Sequence, residues 1–345
     1  MKRDLTAAMV PREWDDLKPI RGRLKSRAAD FRVEEVLGFG PEGHGDYLWV
    51  DVEKTGLSMG QLFHELGEGL GIRAADIGHA GLKDRTAVTR QTLSMPAGAA
   101  KALAVFSHEK IRINGWLQNP GPIHVGQLRG NRFEILLRGQ NQARLEDAQE
   151  WGRRLTESGA PNGFGRQRFG RNLDTLRLGL AMIREELSVS RMGRMNRRLA
   201  ISSVQSWLFN LYLISRMKKG RLRTVMGGDI LQHRGKSIQV QDVSEAQAEY
   251  DRGDLRITGP LFGGEGGRAT GEAGCLEQEV LTEAGLSIQH FQRFQYAKRG
   301  VRRPLVVVPS DLTVEEDDHG LRFSFFLPRG CYATEVLGQL MKRPW

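Results

Sequence analysis

The spacing of apolar residues along this chain changes period twice, and that double change restricts the folds open to it. Five segments alternate apolar with polar residues: DFRVEEV (30–36), YLWVDVEK (47–54), AVTRQTLSM (87–95), KIRINGWL (110–117) and NRFEILLRG (131–139). A period of two marks strands with one buried face, so these segments predict a mostly antiparallel sheet. SMGQLFHELGEGLGI (58–72) puts Leu62, Leu66 and Leu70 at every fourth position behind a Ser58 cap, which predicts a helix packed on that sheet. The middle of the chain follows a helical period instead. One helix is expected over 172–186, and Ile201, Val204, Trp207, Leu208 and Leu211 form the core stripe of another. GPLFGGEGGRATGEAG (259–274) is expected to be a mobile loop, because glycine populates many backbone states. Strands then return at PLVVVPSD (304–311) and LRFSFFLP (321–328), and YATEVLGQLMKR (332–343) closes as a helix. The class is α+β. A sheet domain at 1–153 and 305–345 is expected to be interrupted by an α/β insertion at 154–304, and 345 residues suffice for two or three such units.

Charge divides the chain at the same place. The net charge is +10, yet 153–304 holds 26 Lys and Arg against 15 Asp and Glu, and the remainder holds 25 against 26. SRMGRMNRR (190–198), RMKKGRLR (216–223) and AKRGVRR (297–303) supply much of the surplus. Any single cluster is accounted for as a solvated surface, but a one-sided charge over more than a third of the chain suits a nucleic acid. No apolar run approaches the ~20 residues of a membrane span, and the first residues lack the apolar stretch of a signal peptide, so the cytoplasm is the expected compartment. Cys275 and Cys331 are too few for a disulfide framework or a four-thiolate zinc site, so no structural metal is expected.

Most motif-like stretches lead nowhere. GFGPEG (38–43) has the G-x-G-x-x-G spacing of a dinucleotide loop, but HGDYLWVDVEK follows it like a strand where the motif needs a helix. A hairpin turn is the simpler reading. GGEGG (263–267) has no predicted strand before it and no lysine in the P-loop place, and the 8 histidines are scattered. Carboxylates remain. A lone aspartate in a loop is ordinarily a turn former or a cap, but Asp84 follows the small residues of HAG, which leave room for a ligand. It also precedes a strand that can hold the loop rigid.

AGLKDRTAVTRQ (80–91) resembles the signature of the TruD family of tRNA pseudouridine synthases, roughly A-G-x-K-D-[KR]-x-A-x-T-x-Q, in every defined place. KSRAADFRVEE (25–35), GNRFEI (130–135), NGFGRQRFG (162–170) and LPRGCYATEVL (327–337) extend the resemblance in order. It implies a pseudouridine synthase sheet domain interrupted by a family-specific insertion. It also implies a reaction that needs no cofactor or metal: the bond from uridine C1′ to N1 breaks, the uracil turns in the site, and C1′ joins C5. The essential aspartate of the family falls on Asp84, attacking either C1′ or uracil C6. Because exclusion of water disfavours a carboxylate, a cation is required beside it, and the family's basic position falls on Lys25. Lys83 and Arg85 are assigned to phosphates. Phe31, Phe133 and Tyr332 occupy the aromatic positions that would stack on an extruded base, and Asn131 offers an amide to its polar edge. The expected partner is tRNA, with position 13 of the D arm as target, the basic insertion as the grip on its phosphates, and a monomer as the working form. The sequence departs from the family pattern at Gly163, Tyr332 and Gly338. Two other readings stay open: an S-adenosylmethionine-dependent RNA methyltransferase using GFGPEG, and a tRNA-binding protein without catalysis.

Overall fold

The computed structural model describes residues 10–139, 141–187 and 192–342, so Ser190, Arg191 and Arg343 of the runs quoted above lie outside the described residues. The chain begins with β1 (Phe31–Val36), β2 (Tyr47–Thr55), α1 (Met59–Leu70), β3 (Gly78–His79), β4 (Val88–Pro96), α2 (Ala100–Val105), β5 (Ile111–Asn119), β6 (Gly130–Arg138) and α3 (Leu145–Ser158). Its middle adds β7 (Ala160–Pro161), α4 (Asp174–Ile183), α5 (Arg194–Lys218), β8 (Ile230–His233), β9 (Lys236–Gln239), α6 (Val243–Asp251), β10 (Arg256–Leu261), α7 (Gly271–Glu283), α8 (Gln289–Gln292), β11 (Val301–Pro304) and β12 (Val306–Val307). β13 (Ser310–Asp317), β14 (Gly320–Pro328) and α9 (Ala333–Met341) complete it. Among the described residues no helix is long and apolar enough to cross a membrane.

Two compact units result. The sheet unit comprises Leu17–Ser158 and Val308–Ala333; the other comprises Met1–Asp16, Gly159–Val307 and Thr334–Trp345. The main sheet runs β13-β14-β6-β1-β4-β2-β5, with β3 on β4. Its pairings are antiparallel except β1 with β4, so the architecture is the mixed, mostly antiparallel α+β one that the alternation predicts. β1 and β2 are thus separated by β4, and GFGPEG is not a hairpin turn but a longer link between strands that never pair.

Helix α1 starts where expected. Ser58 accepts from the Gln61 backbone at 3.2 Å and Gln61 accepts from the Ser58 backbone at 3.0 Å, a reciprocal cap that satisfies two otherwise orphaned donors. Its Leu62, Leu66 and Leu70 pack with Leu48, Val50, Val52 and Leu93 on one face of the sheet. Near the other end of that face, α3 lays Trp151 edge-on against Phe323, ring centres 6.0 Å apart. The register places Lys54, Thr89, Val33, Phe133 and Phe325 in line on the same face, on the strands between. The opposite face is a lattice of ion pairs, Arg90 with Asp51 at 2.6 Å and with Glu34 at 3.3 Å among them. A cavity of about 320 Å³ there is lined by Arg32, Glu34, Arg90 and Arg132 and does not include Asp84.

The second unit is built on α5, whose Ile201, Val204, Trp207 and Leu208 are buried while Leu211 packs at the edge of the core. PLVVVPSD is not one strand: Pro304 ends β11, Leu305 turns aside with its N–H donating to Ile257 O, and β13 starts only at Ser310. The glycine-rich passage is not one loop: 259–261 end β10, 271–274 open α7, and the link between them is packed, contrary to the mobility that its composition predicts. A Cβ on Gly263 would lie 2.1 Å from Gly300 N, and one on Gly266 would lie 2.4 Å from Arg299 O, so glycine there permits backbone to meet backbone. At Gly163, where the family pattern has an aromatic, a Cβ would lie 2.5 Å from the Val10 side chain. Helix α9 groups with this unit: Gln339 Oε1 accepts from Glu13 N at 2.9 Å and Lys342 donates to Trp14 O at 2.8 Å.

Candidate active site

Asp84 lies in the turn between β3 and β4. Lys25 donates to its Oδ2 at 2.5 Å, with the two side chains 22% and 43% exposed. The ammonium also stands 4.2 Å from the centre of the Phe31 ring, a cation–π contact that holds it from below. Lys25 has φ +54°, in the left-handed region that non-glycine residues seldom occupy, so the backbone is held in a costly shape that aims this side chain. Asp30 secures the approach. Its carboxylate takes two bonds from Arg138 at 2.7 Å and one from Arg27 N at 2.9 Å; burial pushes its pKa up, but Arg138 and Arg27 together hold it below the usual value.

A second lysine reaches the same aspartate from inside the sheet. Lys54 is fully buried, and its Nζ donates to the Asp84 carbonyl oxygen at 2.7 Å. Burial pulls its pKa down to about 8; the Asp84 charge resists that and the Lys83 charge adds to it. Lys83 itself is not available to phosphate. It forms an ion pair with Glu35, the two side chains 4% and 1% exposed, because its side chain turns inward under β1 while Arg85 stays exposed. No partner among the described residues binds Asp84 Oδ1.

Phe31, placed by the family pattern against a base, is 2% exposed, with Lys25 over its ring and Phe133 edge-on at 6.1 Å. Burial in β1 makes it the seat of the cation. Phe133 is half-buried and also meets Phe325 at 5.6 Å. Asn131 pairs in register with Glu35, and its Oδ1 is buried without a hydrogen-bond partner. Tyr332 is 41% exposed on the loop between β14 and α9. Sequence reasoning missed Lys54, Glu35 and Gln91. Glu35 Oε1 and both amide atoms of Gln91 are buried and unpaired, and Glu34 opposite Arg90 sets Gln91 beside Glu35. Gln91, Glu35 and Asn131 thus make a polar row across three strands, of the kind that calls for further hydrogen-bond partners. The alternation carried the signal: Lys54 continues the inward series Leu48, Val50, Val52, where a charge is out of place.

A mostly antiparallel sheet interrupted by a middle unit, with AGLKDRTAVTRQ turning at the edge of its site face, defines a protein of the pseudouridine synthase class. The model of the family tRNA pseudouridine synthase D (TruD) matches residues 14–192 and 186–340, and the chain belongs to that family. It is 37% identical over 331 residues to a tRNA pseudouridine synthase D of Thermus thermophilus, covering 95% of this chain and 90% of that one. With the protein of the same name from Anaeromyxobacter dehalogenans it shares 34% over 333 residues, 95% of each. A crystal structure of the putative tRNA pseudouridine synthase D of Methanosarcina mazei has the same fold, with a TM-score of 0.77 at 23% identity over 98% of both chains.

Proposed function

We propose that this chain isomerises a uridine of tRNA to pseudouridine and that Asp84 is its essential group. The observation that carries the reading is the Lys25–Asp84 pair, half open to solvent at the site face of the sheet. Lys25 occupies Oδ2 and favours the charged carboxylate, which leaves Oδ1 to meet the substrate. Attack at C1′ and attack at C6 both begin from that oxygen. Either way the C1′–N1 bond breaks, a C1′–C5 bond forms, C5 gives up its proton and N1 ends with one, so composition is unchanged. Asn131 serves the polar edge of the uracil with its unpaired Oδ1, Phe133 and Tyr332 provide apolar faces, and Phe31 holds Lys25 in place.

Catalysis belongs to the sheet unit, and the basic second unit takes up tRNA phosphates; position 13 of the D arm is the target that the family signature favours. The same reading puts the enzyme in the cytoplasm as a monomer. GFGPEG leads into β2, so no helix N-terminus is there to hold a cofactor anion, which weighs against the methyltransferase.

Asp84→Asn keeps the size and removes the charge. Wild-type protein incubated with unmodified tRNA should yield pseudouridine, mapped by carbodiimide-blocked reverse transcription, and the variant should lose on the order of 10⁴-fold or more in rate while still binding tRNA. Product from the variant at the wild-type rate, or a wild type that binds tRNA and makes none, would sink the proposal.

A further inference from the structure

The glycine-rich passage has no part in the site described above, yet it builds one wall of a second concavity, in the other unit. That cavity, about 370 Å³, is lined among others by Gln205, Glu265, Gln295, Tyr296 and Arg299. Its volume lies in the range of small-ligand pockets, roughly 300–1,000 Å³. Tyr296 is 40% exposed and is backed by Phe294, ring centres 5.9 Å apart. An aromatic ring supported behind and open in front is a stacking platform.

The charges that line it are two cations and one acid, Lys298, Arg299 and Glu265. Lys298 is answered by Glu265 at 2.7 Å, but Arg299 has no ion pair among the described residues. Arg197 on α5 is close enough for its charge to act on the Tyr296 hydroxyl, and its Nε is buried without a partner. The polar edge is supplied as well. Gln205 gives its Nε2 to Phe262 O at 2.6 Å, which leaves Oε1 to accept, and the exposed Gln295 amide can both donate and accept. A platform, the guanidinium of Arg299 without an ion pair and two amides match the three parts of a nucleotide: flat base, phosphate and hydrogen-bonding edge.

From this combination we infer that the pocket around Tyr296 takes an unpaired nucleotide of the RNA substrate, away from the uridine that is modified. The inference rests on the proposed tRNA reading and deepens it, by giving the second unit a base-binding subsite beyond phosphate attraction. Stacking is weakened when the ring is removed and kept when only the hydroxyl is lost.

The test compares tRNA affinity of otherwise wild-type protein with Tyr296→Ala and Tyr296→Phe, alongside ultraviolet cross-linking of wild-type protein to tRNA with peptide mapping. Loss of one stacked base should weaken Tyr296→Ala about five- to 140-fold, with Tyr296→Phe within about twofold of wild type. Arg299→Ala should flatten the dependence of log affinity on log salt by about 0.7. Cross-links should fall within 295–299. Tyr296→Ala binding within about twofold of wild type, or cross-links only elsewhere, overturns the inference. The two readings fail separately: a wild type that makes pseudouridine while Tyr296→Ala binds normally refutes the subsite alone, whereas a wild type that makes none but depends on Tyr296 for binding refutes the enzyme and keeps the subsite.

Discussion

Two lysines hold one aspartate by different handles, and only one of them needs to be charged. Lys25 grips the Asp84 carboxylate from a partly exposed turn, while Lys54 grips the Asp84 backbone from within the sheet. A buried ammonium is costly, which is why burial brings Lys54 down to about 8 from an ordinary 10.5 even with Asp84 nearby. The sign of the consequence follows from proton counting. Between about 8 and 10.5 the unfolded chain still holds a proton that the native state has released, so stability from this group rises with pH across that window; below it both states are protonated and the contribution is flat. The full rise is on the order of 3 kcal/mol, at about 1.4 kcal/mol for each pH unit of displacement. Lys54→Met should abolish it. Urea unfolding of wild type and variant at several values from about pH 7.5 to 10.5 isolates the difference, and parallel pH profiles would show that Lys54 is not the group concerned.

At the scale of elements, the register of β6 depends on a residue without a side chain. Gly130 opens that strand between β1 and β14, and a Cβ there would lie 2.2 Å from Leu327 O and 2.4 Å from the Phe326 ring. Gly130→Ala must push β14 away or move the adjoining Asn131, so it should cost about 1–3 kcal/mol of stability and lower activity together. Gly38→Ala, with nothing within 4 Å, is the control and should stay within about 0.5 kcal/mol in the same thermal melts. The glycine of GNRFEI could be read from the sequence, but the neighbour that requires it could not. Legibility follows that line elsewhere. All five alternating segments are strands and Ser58 caps its helix, because periodicity and capping are local. The placing of β4 between β1 and β2 is non-local pairing, which no window of sequence contains. β13 escaped because an edge strand, SDLTVEED, buries only Val314 and so shows little alternation. α3 escaped because its buried side is Ala148, Trp151, Gly152 and Leu155, two of them too small to read as a stripe. In the site, the signature brought Asp84 and Lys25 together, whereas the inward turn of Lys83 to Glu35 depends on β1 passing beside the turn.

Over the whole molecule, net charge overstates the basic surface that RNA can reach. In RMKKGRLR, Arg216 is completely buried against Asp229 at 2.9 Å, and Arg223 is paired with Glu13 at 2.7 Å. In AKRGVRR, Arg302 is paired with Glu277 at 2.6 Å and Arg303 lies 4.2 Å from the centre of the Phe164 ring. These arginines are scaffolding, and reversing a whole cluster would test folding before it tested binding. Removing one partner of a buried pair costs about 3–5 kcal/mol, so Arg216→Glu should leave the second unit unfolded. Lys218, Lys219 and Arg221 are exposed instead. Changing these three to Glu should leave the melting transition in place and weaken tRNA binding through lost counterion release. For each phosphate contact removed, the slope of log affinity against log salt should fall by about 0.9, up to roughly 2.7 for all three. Filter binding between about 50 and 200 mM salt reads that slope, and a triple variant with the wild-type slope would mean that this end of α5 faces away from the RNA.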